Sequence, residues 1–76
     1  MQITIILKFQ ELDDKQETDF LERLTTETKS LHISEDRIRK HEKTLDIDVS
    51  GVPSKRVAAL ITFSKNCVRS LLNLDL

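Results

Sequence analysis

Residues 44–50, with the sequence TLDIDVS, alternate apolar and polar side chains. Successive side chains of a β-strand point to opposite faces, so Leu45, Ile47 and Val49 share one face. The polar positions share the other face and are Thr44, Asp46, Asp48 and Ser50. The stretch predicts a strand with one dry and one wet face, which leaves room for helices on one side of the sheet only.

The first ten residues show the same alternation. Their apolar positions are Ile3, Ile5, Leu7 and Phe9. Helical spacing follows over about residues 14–31, with a stripe formed by Phe20, Leu21, Leu24, Thr28 and Leu31. Either Asp13 or Asp14 can cap this helix, with Gln16 or Glu17 completing a capping box.

A second helix is predicted from Pro53 to about Asn73. Proline is well placed at a first helical position because its missing N–H is not needed there. The apolar stripe of this helix, which includes Val57, Leu60 and Leu71, is wider than a small sheet can cover. Exposed apolar surface of this kind usually marks a protein contact.

The segment from His32 to Lys43 permits two interpretations. Ser34 can cap a short helical turn that begins at Glu35. Alternatively, Arg37 to Glu42 forms an edge strand joined to the next strand by a tight turn. We favour a short edge strand or an extended loop, because exposed charges suit an edge.

These elements predict a single small domain over residues 1–76. Its fold class is α+β or α/β, a two-layer sandwich with the order β-α-(β)-β-α and both helices on one face. The architecture resembles a ferredoxin-like unit without its last strand, a likeness that implies no function. A strand–helix–strand crossover is expected to make the two clear strands parallel.

Composition favours a small cytoplasmic protein that associates with another chain. The 76 residues carry a net charge of −1 and one cysteine, Cys67, so no intramolecular disulfide can support the core. A lone thiol suits a reducing compartment.

No targeting segment or apolar run of about 20 residues is present, so no membrane partner is expected. A core of this size supplies little stability by itself. Burial against a partner or in a homodimer is the expected source of additional stability.

No motif in the sequence carries an identifiable chemistry. His32, His41 and Cys67 lack the close spacing of a zinc site. Asp46 and Asp48 share a wet face, where paired acids usually serve solubility. We therefore predict no enzyme, no cofactor and no metal.

The predicted function is a protein-interaction module, a small regulator or inhibitor that binds a larger protein or itself. Two surfaces are the candidates. The first is the outer side of the second helix, with Phe63, Cys67 and Leu74, although the first helix could shield these side chains. The second is the charged stretch 37–43, with Arg37, Arg39, Lys40 and Lys43.

Two alternatives stay open. The basic stretch 37–43, together with Lys55 and Arg56, could bind the phosphates of a nucleic acid. The net charge and the absence of Trp and Tyr disfavour this. An enzyme subunit that completes its site across a dimer would need Asp46 and Asp48, or His41, to converge with a second copy of the chain.

Overall fold

The computed structural model describes residues 2–73 and shows a three-stranded antiparallel sheet with two helices. The elements are β1 (Thr4–Lys8), α1 (Asp14–Ser30), a 3₁₀ turn (Glu35–Arg37), β2 (Ile38–His41), β3 (Thr44–Asp48) and α2 (Ser54–Asn73). The predicted two-layer α+β architecture is confirmed, and α1 and α2 pack against each other.

The strand direction differs from the prediction. β3 lies between β1 and β2 and is antiparallel to both, so the prediction that the two clear strands run parallel is wrong. The cause is β2, which continues into β3 through the two-residue loop formed by Glu42 and Lys43. The crossover through α1 thus makes β1 parallel to β2, and β3 returns between them. This strand order matches a ferredoxin-like sheet that lacks its fourth strand.

The core lies between one face of the sheet and the helices. The sheet side of the core is formed by Leu7, Phe9, Leu45, Ile47 and Val49, which are buried as the alternation predicts. Ile5, at the same kind of position, is partly buried, and Ile3 is exposed. The Phe9 ring lies 5.1 Å from that of Phe20 on α1, centroid to centroid. On the opposite face, Thr44, Asp46 and Asp48 are partly exposed. Helices therefore cover a single side.

Local sequence sets both ends of α1. Asp13 accepts a hydrogen bond from Gln16 N–H at 2.8 Å, and the Gln16 side chain accepts one from Asp13 N–H at 2.9 Å. This is the predicted capping box. At the other end, His32 has a left-handed φ of 61°. The N–H groups of His32 and Ile33 donate to the carbonyls of Lys29 and Thr28, which is a Schellman motif.

Both interpretations of the 32–43 segment are confirmed in succession. The Ser34 hydroxyl accepts a hydrogen bond from Asp36 N–H at the start of the 3₁₀ turn. The strand β2 then follows directly. Glu42, with a φ of 48°, adopts the left-handed conformation that lets the chain reverse into β3.

A tight turn joins β3 to α2. Gly51 has a φ of 77°, a conformation that a residue with a Cβ adopts only at a cost. The carbonyl of Pro53 then accepts the first bonds of the helix, from Arg56 and Val57. Pro53 precedes the first helical residue, Ser54, one position from where the sequence placed it.

Candidate protein-interaction surfaces

The predicted surface on α2 is only partly present. Phe63 is half-buried and packs against the core. Cys67 is 5% exposed and belongs to the core, so the prediction that it lies on the outer side of α2 is wrong. The physical reason is the packing of α1 on α2, the shielding that the sequence left open. Leu74 lies outside the described residues.

The Cys67 thiol is also poorly suited to chemistry. Burial raises its pKa, and the nearby guanidinium of Arg23 opposes that effect only in part. Arg23 is itself held by Asp19, whose carboxylate accepts hydrogen bonds from it at 3.0 and 3.3 Å. A buried thiol with a raised pKa carries little thiolate at neutral pH, so it is a packing residue.

Two of the four predicted basic residues contact α1. Lys43 Nζ donates to Glu17 Oε1 at 2.8 Å and to the Leu12 carbonyl at 3.1 Å. Lys40 Nζ lies 3.5 Å from the other Glu17 oxygen. The hydrogen bond from Lys43 is the main reason why the pKa of Glu17 lies below its ordinary value. Lys40 and Lys43 thus link the β2–β3 hairpin to α1.

Arg37 also makes contacts within the chain. Its guanidinium donates to the carbonyl of Ser50 at 2.8 Å and to that of Asp48 at 3.4 Å. Asp48 in turn accepts a hydrogen bond from Ser50 N–H at 2.9 Å. Hydrogen bonds from Ser50 lower the pKa of Asp48, with a smaller contribution from Arg37. These contacts hold the 3₁₀ turn against the end of β3.

Arg39 and His41 lie on the open face of the sheet. Arg39 pairs in register with Asp46, and His41 Nε2 is 3.4 Å from an Asp46 oxygen. A shallow polar depression covers this region. Among residues 2–73, no three His, Cys, Asp or Glu side chains are placed so that they could hold a metal ion.

The free edge of β1 is a feature that the sequence did not indicate. The Ile3 carbonyl accepts a hydrogen bond from Val49 N–H at 2.8 Å, and Phe9 N–H donates to the Lys43 carbonyl at 3.0 Å. Backbone groups of successive residues in an antiparallel strand point to opposite sides. Thr4, Ile6 and Lys8 therefore direct their N–H and C=O groups away from β3, where the described chain offers no further strand.

Apolar side chains accompany this free edge. Ile6 is 59% exposed and Ile3 is 52% exposed. Ile3 also lines an apolar groove of about 300 Å³ with Val57 and Ile61 of α2. Farther along the edge, Lys8 lies beside Val68 and Leu72. We call the β1 edge, together with the flank of α2 formed by Val57, Ile61, Val68 and Leu72, the open edge.

Comparisons with protein-family models, with curated proteins and with solved structures find no match. Within residues 2–73, neither helix combines the length and the apolar composition needed to cross a membrane.

Proposed function

We propose that this chain is a protein-binding module that acts through the open edge, by pairing β1 with a strand of another chain. One observation carries the proposal: within residues 2–73 no strand pairs with the outward backbone groups of Thr4, Ile6 and Lys8, and these groups lie beside exposed apolar side chains. Strand addition needs both features, because main-chain hydrogen bonds give affinity and alternate side chains give specificity.

The two edges of the same sheet differ in a way that supports this proposal. The other edge strand, β2, carries the exposed charged or polar residues Arg39, Lys40 and His41. Such residues discourage pairing with other chains. β1 has one charged residue, Lys8, and it exposes Ile6 at its centre. One edge is therefore protected, and the other is open to pairing.

A binding module of this kind would regulate or inhibit a larger protein by occupying one of its strands, or it would join two copies of itself. The single thiol favours a reducing, cytoplasmic setting for this activity. The nucleic-acid alternative draws less support, since Lys40 and Lys43 contact Glu17 and Arg37 contacts backbone carbonyls.

The test compares capture by three immobilised forms of the whole chain: wild type, Ile6→Lys and Asn66→Lys. Ile6→Lys places a charge at the centre of the open edge. Asn66→Lys adds the same charge at an exposed position of α2 away from that edge. Each form is exposed to an extract of the cells that make the protein, with and without nuclease treatment, and retained proteins are quantified by mass spectrometry.

We expect at least one protein, a second copy of the chain included, to be retained by wild type and by Asn66→Lys but lost with Ile6→Lys. Equal retention by all three forms would contradict binding through the open edge. Retention that disappears only after nuclease treatment would instead support the nucleic-acid alternative.

A further inference from the structure

Resting on the proposed function, we propose that the strand that binds β1 is β1 of a second copy of this chain. The two strands pair antiparallel about a two-fold axis at Ile6, which joins two three-stranded sheets into one continuous sheet. The proposal commits to an isologous dimer, in which the same surface serves both subunits.

β1 is complementary to itself in this register. Ile6 lies opposite the partner's Ile6, and Thr4 lies opposite the partner's Lys8. Because these residues direct their backbone groups outward, each opposed pair can exchange two hydrogen bonds, for about six in total. An Ile6 pair buries apolar surface, whereas like charges placed directly opposite are unfavourable. A register centred on Lys8 would oppose two lysines, and the one centred on Ile6 avoids this.

The flank of α2 has the same symmetry. Val57 and Ile61 lie near the start of β1, beside Ile3, while Val68 and Leu72 lie near its end, beside Lys8. A two-fold axis at Ile6 therefore brings Val57 toward the partner's Leu72, and Ile61 toward the partner's Val68. These apolar residues are spaced evenly about Ser64 and Lys65, so one axis satisfies both the strand and the helix.

Pairing of the two β1 edges also limits the assembly to two chains. Once the two β1 edges are paired, both ends of the joined sheet are β2 strands. These carry Arg39, Lys40 and His41, so further strand addition is discouraged. The arrangement predicts a discrete dimer and no filament.

Lys65 predicts how the stability of the dimer responds to salt. It is exposed on the same flank, near the midpoint of the apolar stripe, and α2 contains no acid between Pro53 and Asn73. Near the axis, Lys65 approaches the partner's Lys65. The dimer should therefore tighten when salt screens this repulsion, and Lys65→Gln should strengthen it. Nucleic-acid binding would respond to salt in the opposite direction.

The experiment measures the mass of the purified whole chain by sedimentation equilibrium from about 1 to 500 μM, a range that spans weak to moderate affinities. We expect a concentration-dependent species of twice the 8.8 kDa chain mass. Ile6→Lys should raise the dissociation constant by at least about tenfold. Asn66→Lys should leave it unchanged.

A second variant tests the main-chain hydrogen bonds of Ile6 separately from its side chain. Chemical synthesis of the chain with an N-methyl group on Ile6 removes an N–H that points away from β3 and keeps the side chain. Circular dichroism establishes that each form is folded. The methylated chain should lose the dimer, because Ile6 exchanges hydrogen bonds with the partner's Ile6 at the axis.

Three outcomes would overturn the dimer: a monomer at every concentration, a dimer insensitive to Ile6→Lys, or a dimer that withstands N-methylation. A monomer that still captures another protein through Ile6 would overturn this inference alone. Capture that ignores Ile6→Lys would overturn the proposed function as well, so the two failures are distinguishable.

Discussion

Lys43 Nζ lies 2.8 Å from Glu17 Oε1, which connects the loop between β2 and β3 to the first turns of α1. The same lysine donates to the Leu12 carbonyl at 3.1 Å, just before α1 begins. Lys40 approaches the second oxygen of Glu17. Lys40 and Lys43, two residues of the charged stretch that the sequence offered as a partner surface, thus connect the hairpin to α1.

This ion pair predicts a pH-dependent contribution to stability. The folded-state pKa of Glu17 is lowered mainly by its hydrogen bond with Lys43, so its contribution is present above its ordinary pKa of 4.5 and is lost as pH falls through the lowered value. Glu17→Gln should therefore lower the urea midpoint at pH 7, and the difference from wild type should shrink below pH 4.5. Glu22→Gln, at an exposed position of the same helix, is the matched control. A difference that is constant with pH would contradict this account.

The buried thiol predicts slow labelling. Cys67 is 5% exposed and burial raises its pKa, so iodoacetamide should modify it only as fast as the chain opens. In 8 M urea the same thiol should react at the rate of a free cysteine. An Asn66→Cys, Cys67→Ala chain, which moves the thiol to an exposed neighbour, is the control and should label rapidly in buffer. Equal rates for the two folded chains would show that Cys67 is accessible.

The capping box predicts a local loss of stability. Asp13→Ala removes the acceptor for Gln16 N–H, and such substitutions cost about 1 kcal/mol. Lys15→Ala, within the same turn at an exposed position, should change the free energy of unfolding much less. Equilibrium denaturation with urea measures both values. If the two variants were equally stable, the cap would contribute nothing beyond local helix propensity.

The end of α1 predicts a stabilising substitution. His32 has a left-handed φ of 61°, which is costly for a residue with a Cβ. His32→Gly removes that cost but adds freedom to the unfolded chain, for a net gain of about 0.5–1 kcal/mol. Glu22→Gly, in the middle of the same helix, should destabilise instead. A loss of stability in His32→Gly would show that the imidazole has a role that the backbone geometry does not reveal.

Local sequence was sufficient to locate β1, β3 and the two helices, whereas it left the structure of residues 32–43 open. The alternation of Leu45, Ile47 and Val49 with polar residues indicated which face of β3 is buried, because that pattern depends only on neighbouring residues. The cap at Asp13 and the stripe through Phe20 and Leu24 located α1 in the same way. These signals are short-range, so they are visible without knowledge of the fold.

The candidate interaction surfaces could not be located from such short-range signals. Whether Cys67 faces a partner or α1 depends on how the two helices pack, and the sequence alone left both choices open. The sequence did not indicate that Lys40 and Lys43 contact Glu17, because that contact depends on how the hairpin packs against α1. The open edge of β1 depends on which strand pairs with which, and no side-chain pattern within β1 contains that information.

The sequence by itself determined two strands with one dry face each, two amphipathic helices, and the turns that separate them, because periodicity and capping are properties of neighbouring residues. Only the tertiary structure decided that β3 lies between β1 and β2. That order depends on the short hairpin at Glu42 and Lys43 and on long-range pairing. It leaves the backbone groups of Thr4, Ile6 and Lys8 at an edge where the described residues, 2–73, place no further strand.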